Sequence, residues 1–231
     1  MKITKLNEDS SWLWECNGLK ILVDPWFTDD QVDFHPLFSK QTHLDVQPKV
    51  HELEKADFIF ISHPFTDHCN QETLLQLDAN IPVVCIEPIA KKIKRWQHFQ
   101  FIIPIEQAPF SIELISQTSF LDLVHHAYRI SDSCSSMIYA PHGTRRLKRT
   151  PKTDVLLTTL STYKLPFFLG GNVNLGLKSA VEKAQELQAK TIISTHDEQK
   201  LQAGFVRLVS KRSFVQTDQF LTLSKNESYQ F

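Results

Sequence analysis

Two histidines and an aspartate directly follow an apolar run in the stretch FIFISHPFTDHCN. They are His63, Asp67 and His68, and the run before them has the composition of a buried strand. Imidazole and carboxylate side chains bind metal ions and exchange protons. A single histidine after a strand is more often structural, so the chemistry depends on other segments bringing similar residues to the same place.

Residues of these types stand repeatedly where a strand is predicted to stop. They are Asp24 after LKILV, His63 after DFIFIS, His142 after MIYAP, and His196 after TIIST. The ends of strands in an α/β sheet are held rigidly by the core yet open to solvent, and ligands usually bind there. We therefore expect these four segments of the chain to converge on one rim.

Short apolar runs predict many strands with a few helices between them. Strands are predicted in KITKL, SWLWEC, IPVVCI and DVLLTTL and over residues 99–105, 110–116 and 121–130. Apolar residues at helical spacing predict helices in QETLLQLD, PIAKKIKRW and LGLKSAVEKAQELQAK. Residues 25–49 lack a sustained period, which indicates a long excursion of the kind that roofs an active site. We expect one α/β domain over residues 1–231.

Charge and composition exclude several classes of partner. The 231 residues carry 25 Lys and Arg against 26 Asp and Glu, so a formal charge of -1 gives no global attraction to nucleic acid or an anionic membrane. No secretory signal or membrane-spanning run is apparent, and the four cysteines lack a C-x-x-C pair. We expect a cytoplasmic protein with a small-molecule substrate, no nucleic acid and no membrane partner; oligomeric state is left open.

The histidine cluster also carries a resemblance to a known family. HPFTDH resembles the H-x-H-x-D-H signature of the metallo-β-lactamase superfamily, with Phe65 in place of the middle histidine. LKILVDPW, MIYAPHG and AKTIISTHDEQ resemble segments of the branch that contains ascorbate-6-phosphate lactonase, in the family's order across nearly the whole chain. The resemblance implies a four-layer αβ/βα sandwich, with two sheets faced by helices and a one- or two-metal site at the sheet edges.

Carried over position by position, the resemblance implies one metal site that is largely intact. The family's second site maps onto Asp67, His68 and His196. The position of the aspartate that bridges two ions holds His142, and an imidazole cannot bridge two ions as a carboxylate does.

The first site of the family maps less well onto this chain. Phe65 removes one donor, and LISQTSFLDL offers only Gln117 where a later histidine is expected. His125 or His126 could still help to hold a second ion, although neighbouring strand residues point to opposite faces of a sheet. A single-ion site is therefore the main prediction.

The predicted ligands of that ion are Asp67, His68, His142 and His196. One carboxylate and three imidazoles suit zinc at roughly 2.0–2.2 Å, with iron or manganese as alternatives. Such an ion lowers the pKa of a bound water to about 7. If all four groups bind and no further place is open, the site is closed and structural.

The remaining residues of the cluster have open roles. We predict His63 and Asp67 as catalytic, while His63 could instead support a ligand by hydrogen bonding or simply fill space. The resemblance suggests that Asp24 hydrogen-bonds a ligand histidine or the loop backbone. Phe65 is expected to fill the vacated metal place with an apolar ring.

Two further segments each allow two interpretations. STYKLPFFLGGNVNLG is either a loop that faces the substrate through Tyr163, Lys164, Asn172 and Asn174, or a packed loop that caps the following helix. HGTRRLKR is either a solvated basic face or a lining of the cleft that attracts phosphate or carboxylate.

Three classes of function remain. The first is a metal-dependent hydrolase of a small ester, lactone or phosphorylated metabolite. The second is a catalytically silent member of the fold that binds a metal, a metabolite or a partner protein, which the changes at Phe65 and His142 would explain. The third is iron-dependent redox chemistry, which only the mixed histidine and aspartate ligation supports.

Overall fold

Two β-sheets form the centre of the fold, and two smaller sheets lie beside them. The computed structural model describes residues 1–117, 124–215 and 220–231. The strands within these residues are β1 (Lys2–Lys5), β2 (Trp12–Cys16), β3 (Leu19–Val23), β4 (Asp30–Asp33), β5 (Ser39–Thr42), β6 (Phe58–Ile61), β7 (Val83–Cys85), β8 (Ile102–Pro104), β9 (Ser111–Leu114), β10 (Tyr128–Ser131), β11 (Ser136–Ala140), β12 (Val155–Thr158), β13 (Thr162–Lys164), β14 (Asn172–Leu175), β15 (Thr191–Ser194), β16 (Leu201–Ala203), β17 (Lys211–Ser213) and β18 (Ser228–Gln230).

Four α-helices are present in the described chain, and three of them cover the large sheets. They are α1 (Gln71–Leu74), α2 (Glu87–Lys94), α3 (Gly176–Glu186) and α4 (Phe205–Val209). The side chain of Asn70 caps α1 by accepting a hydrogen bond from the Thr73 amide. Pro88 stands in the first turn of α2, where its missing N–H costs no hydrogen bond. Among the described residues, no helix has the length and apolarity to cross a membrane.

The first large sheet has the order β18-β1-β2-β3-β6-β7-β8, and alternate side chains of its strands face two different cores. In β6, Ile59 and Ile61 pack against α1 and α2, through residues such as Leu74 and Ile89. Phe60 points the other way, into the core between the two large sheets. This follows from the period of two along a strand that is buried on both faces.

The second large sheet has the order β15-β12-β11-β10-β9 and repeats this arrangement. Met137 and Tyr139 of β11 face the core between the sheets, whereas Ile138 faces Ala180 and Ala184 of α3. The layers are therefore helix, sheet, sheet and helix. The predicted αβ/βα sandwich is confirmed.

Parallel pairing brings the predicted site segments to one edge. Strands β3, β6, β7 and β8 run parallel to one another in the first sheet. Strands β11, β12 and β15 do so in the second. The carboxyl ends of parallel strands lie on the same side of a sheet. The residues that follow β3, β6, β11 and β15 therefore meet where the two sheets face each other.

Two segments differ from the expectation from sequence. Residues 25–49, predicted to be irregular, contain a hairpin of β4 and β5, and β5 pairs with β16 far along the chain. The segment 161–176 contains β13 and β14, and β13 also pairs with β17. Such long-range pairing leaves little trace in a short window of sequence. The strand predicted over 121–130 is observed from Tyr128, and its residues 121–123 lie outside the described part.

Candidate metal centre

The four predicted ligands, Asp67, His68, His142 and His196, form a cluster in the structure. His68 lies at its centre and is fully buried. Its Nδ1 donates a hydrogen bond to Asp24 Oδ2 at 2.8 Å. This bond places the proton of a neutral imidazole on Nδ1 and leaves the lone pair on Nε2. The Nε2 atom lies 3.0 Å from Nε2 of His142.

The rings of His142 and His196 also have an oxygen atom beside Nδ1, His142 in a hydrogen bond and His196 in an ion-pair contact. His142 Nδ1 donates to the side-chain oxygen of Asn174 at 2.8 Å. His196 Nδ1 lies 3.0 Å from Asp9 Oδ1. Three imidazoles therefore each have Nδ1 against an oxygen acceptor, so their Nε2 atoms are the available donors of a lone pair.

Asp67 completes this inward-facing set of atoms. Its Oδ2 lies 3.6 Å from Nε2 of His196, and its Oδ1 lies 3.9 Å from Nε2 of His68. Oδ1 is buried and makes no hydrogen bond within the described chain. A buried carboxylate oxygen without a hydrogen bond is costly unless a cation or a donor satisfies it.

The separations of these atoms, 3.0, 3.6 and 3.9 Å, lie around those of ligands on one small cation. Ligand atoms about 2.0–2.2 Å from a tetrahedral ion lie roughly 3.3–3.6 Å from one another. The two facing Nε2 lone pairs of His68 and His142 repel each other unless a proton or a metal ion lies between them. The ligand atoms of Asp67, His68 and His196 all lie within 4.8 Å of one another. Asp67, His68 and His196 therefore fit a divalent metal, and His142 adjoins this group through Nε2 of His68.

Asp24 fixes the cluster from the side of the first sheet. Its carboxylate accepts hydrogen bonds from the Ser62 amide at 2.7 Å and from the Tyr139 hydroxyl at 2.8 Å, in addition to that from His68. Its φ of 44° is in the left-handed region, which aspartate tolerates better than most residues. The predicted hydrogen bond between Asp24 and a candidate ligand is therefore present, with His68 as the donor.

Asp9 supports the cluster from the opposite side and has no recognisable signal in the sequence. It is fully buried in the turn between β1 and β2, and its Oδ2 accepts a hydrogen bond from Lys200 Nζ at 2.7 Å. Burial raises the pKa of Asp9, but His196 and Lys200 outweigh burial and hold that pKa well below its ordinary value. Asp9 is therefore an anion that orients His196.

His63 is buried beside the cluster with both of its ring nitrogens engaged. Its Nε2 donates to the carbonyl of Val124 at 2.8 Å, and its Nδ1 lies 2.7 Å from the Ser62 hydroxyl. Burial and the nearby His142 and His68 lower the pKa of His63 well below its ordinary value. His63 is a neutral ring that ties the motif to residue 124 in this conformation.

The pKa values of the two facing imidazoles shift in opposite directions. Burial and then His196 lower the pKa of His142 well below its ordinary value, which keeps its Nε2 lone pair available. Burial alone would lower the pKa of His68, but the carboxylates of Asp67 and Asp24 outweigh it and raise that pKa. The carboxylates thus make the His68 position the more favourable one for positive charge.

Phe65 stands where the family signature has a histidine, and its ring packs against the cluster. The ring centroid lies 6.3 Å from that of His142 and 6.4 Å from that of His63. His126 stacks on the other side of His63 at 5.2 Å, and both His125 and His126 are buried. The ligand atoms of His63, His68 and His142 also lie within 4.8 Å of one another, but the bond from His63 to Val124 occupies its Nε2.

A cleft of about 1490 Å³ opens over the cluster and reaches Asp67 and His142. The hairpin of β4 and β5 lines one wall, so part of the excursion at residues 25–49 roofs the site as predicted. Residues of the β13–β14 hairpin also line the cleft, among them Tyr163 and Asn172. The cluster is therefore open to a small molecule from one side.

The segments STYKLPFFLGGNVNLG and HGTRRLKR, which each allowed two interpretations, lie partly at the site and partly outside it. Asn174 is buried and holds His142, which neither interpretation of its loop had predicted. Arg145 and Arg146 line the cleft, whereas Arg149 forms an ion pair with Glu113 outside it. The basic run is therefore partly a lining of the cleft and partly a solvated face.

Comparison with known structures identifies the fold. The isothiocyanate hydrolase from Delia radicum gut bacteria is 16% identical, with coverage of 100% of this chain and 99% of its own and a TM-score of 0.71. A possible metal-dependent hydrolase from Veillonella parvula DSM 2008 is 11% identical, with coverage of 99% and 98% and a TM-score of 0.69. CmlA, a diiron beta-hydroxylase from Streptomyces venezuelae, is 12% identical, with coverage of 84% of this chain and 44% of its own and a TM-score of 0.61.

Likeness at such low identity shows the fold alone, while the sequence itself identifies the family. A search of curated proteins finds no match. The family model described as a beta-lactamase superfamily domain matches residues 2–196. The match covers all four strand ends that deliver the cluster. This chain therefore belongs to the beta-lactamase superfamily and has its metallo-hydrolase fold.

Proposed function

We propose that the protein is a metal-dependent hydrolase with a single ion held by Asp67, His68, His142 and His196. The observation that carries the proposal is the 3.0 Å approach of two imidazole Nε2 atoms whose Nδ1 atoms both face oxygen acceptors. Such an arrangement is unfavourable unless a proton or a metal ion lies between the two atoms, and we propose the metal ion. The open cleft over Asp67 and His142 gives a substrate access to that position.

Neighbouring residues of the chain would orient the histidine rings that bind the ion. Asp24 and Asn174 accept hydrogen bonds from the Nδ1 atoms of His68 and His142, and Asp9 Oδ1 lies 3.0 Å from Nδ1 of His196. An ion bound there would supply Lewis acidity, which lowers the pKa of water and polarises a carbonyl or phosphoryl oxygen. Asp67 reaches both the cluster and the cleft, so its carboxylate can also take a proton from a reacting group.

Several features favour one ion over two. Phe65 offers no ligand atom, and the Nε2 of His63 donates to a backbone carbonyl. We propose that His63 supports the loop at residue 124, because a ring with both nitrogens engaged is a poor general base in this conformation. Zinc suits the three imidazoles and one carboxylate, and iron or manganese remain alternatives.

The general class of reaction rests on the family and on the fold neighbours. Two of the neighbours reported above are described as hydrolases, which supports hydrolysis in general. We propose a small ester, lactone or phosphorylated compound as the substrate. The iron alternative is supported by the diiron neighbour. The change at Phe65 supports a second function, in which the chain binds a metal or a metabolite without catalysis.

Metal reconstitution separates the two functions. Chelated protein would be titrated with zinc, manganese or iron(II), and the hydrolysis of phenyl acetate, γ-butyrolactone and p-nitrophenyl phosphate would be followed at each step. We expect hydrolysis of at least one class to rise linearly and to saturate at one equivalent of metal. Fully loaded protein that accelerates none of the three would support the silent alternative instead.

Substitution of Asn174 tests the orientation of His142. We expect N174A to weaken metal binding by about 10–100-fold, the range for removal of a residue that holds a ligand histidine. The measurement is competition with a chromogenic chelator. N172A is the matched control, because Asn172 is exposed on the same strand and lines the cleft without holding a ligand. Equal metal affinity in the two variants would refute the role of Asn174.

A further inference from the structure

We propose that the cleft selects an uncharged ester or lactone with an apolar alkyl or aryl body, whose reacting carbonyl lies at Asp67 and His142. The inference rests on the proposed function and names the substrate class of that same site. Its support is the composition of the cleft walls, their exposure and their charge. Hydrolysis then needs only water: the acyl C–O bond breaks, and an acid and an alcohol leave.

Two hairpins supply apolar residues to the lining of the cleft. Phe34 and Phe38 follow β4, and their rings pack edge to face at 5.6 Å. Leu165, Phe167 and Leu169 lie in the connection between β13 and β14. All five residues line the cleft. An apolar pocket with a few polar groups at one end is the usual form of a small-molecule site.

Two large apolar side chains of the cleft lining are almost fully exposed, which is unfavourable for the protein alone in water. Phe34 is 96% exposed and Phe167 is 95% exposed, so almost none of either ring is covered by the described chain. Phe34 also has a φ of 63°, in a region that a bulky side chain rarely occupies. Exposed apolar groups gathered in a cleft mark a place where an apolar ligand is buried.

Phe65 connects these walls to the candidate metal centre. Its ring packs beside His142 and also lines the cleft. The apolar surface therefore continues from the rim to the place where a reacting group would lie. A ligand that occupies the walls has its end at Asp67 and His142.

The protein side chains that line the cleft bring no surplus of charge, so a bound ion alone would attract an anion there. Among the described lining residues, Arg145 and Arg146 are the cationic ones, and Asp33 and Asp67 oppose them with two negative charges. Both arginines are exposed, so water screens their attraction for an anion. A phosphate site is expected to hold a surplus of positive charge and aligned donors.

A series of p-nitrophenyl esters with acetyl, butanoyl and hexanoyl chains tests the inference in zinc-loaded protein. After correction for spontaneous hydrolysis, we expect kcat/KM to rise about fourfold per added methylene, and so by about 100-fold or more from acetyl to hexanoyl. In the double variant F34S/F167S we expect this gain to fall below about tenfold, because two apolar walls are lost.

The double variant L37S/F168S is the matched control. Leu37 and Phe168 are each 78% exposed and belong to the same two connections, but neither lines the cleft. In this control, kcat/KM should rise with the length of the acyl chain as much as in the wild-type protein. All four positions are exposed, and far-ultraviolet circular dichroism and thermal unfolding would check that both variants are folded. A gain that falls equally in both variants would overturn the inference.

A binding measurement separates failure of this inference from failure of the proposed function. Calorimetric titration with acetamide, butanamide and hexanamide measures the cleft without turnover. The affinity for the amides could rise with their chain length although the protein hydrolyses no ester. That result would support the apolar cleft and reject the proposal that the protein is a hydrolase. Turnover or binding that is independent of chain length would reject the apolar cleft and leave hydrolysis intact.

Discussion

Replacing His196 by alanine is expected to weaken the binding of zinc by more than about 100-fold and to abolish metal-dependent hydrolysis. Removal of a residue that merely orients a ligand costs about 10–100-fold in metal affinity, and loss of a ligand itself should exceed this range. The Nε2 of His196 lies 3.6 Å from Asp67 Oδ2, and its Nδ1 lies 3.0 Å from Asp9 Oδ1. Chelator competition measures the affinity.

The backbone at His196 requires a second variant. Its φ of 58° is left-handed, and alanine is strained there, whereas asparagine tolerates this conformation. H196N should therefore fold well and still lose most of the zinc affinity. H51A, at an exposed histidine that is not one of the cluster residues, is the control. Retention of wild-type affinity in both H196A and H196N would exclude His196 as a ligand.

Substitution of Asp9 is expected to produce the largest loss of stability. Lys200 has 2% of its side chain exposed, and its Nζ lies 2.7 Å from Asp9 Oδ2 and 4.7 Å from the centre of the Trp26 ring. D9N removes the anion and leaves a buried ammonium group without a charged partner. Such a change typically costs about 3–5 kcal/mol of unfolding free energy. Urea unfolding measures the loss.

The double variant D9N/K200M isolates the charge effect. If the unpaired ammonium causes the loss, removing it should recover most of the stability, because a buried ion pair can often be replaced by apolar groups at little cost. K190M is the control, since Lys190 forms an exposed pair with Asp154. A double variant as unstable as D9N alone would show that the buried pair is not the reason.

The position of the site could be predicted from sequence because strand ends are local features. LKILVD, DFIFIS and TIIST each show where a strand stops, and parallel pairing then brings Asp24, His68 and His196 together. The layers were also predictable, because β6 and the helix of residues 176–186 carry clear apolar patterns. The family resemblance is confirmed, while the ascorbate-6-phosphate lactonase branch and the single domain over residues 1–231 stay predictions.

The supporting contacts could not be predicted, because they join segments far apart in the chain. Asp9 lies in NEDSS, a polar connection without any motif, and meets His196 only after both sheets have formed. Asn174 had an equally good interpretation as part of a helix cap. The hairpin of β4 and β5 depends on pairing with β16, which no periodicity in residues 25–49 indicates.

Anomalous diffraction at the zinc edge, from crystals grown with excess zinc, tests the central claim most directly. We expect one peak per chain, within bonding distance of Asp67 and the Nε2 atoms of His68, His142 and His196. Two peaks, with His63, His125 or His126 as ligands of the second, would contradict the single-ion site. No peak among the four residues would contradict the metal centre itself.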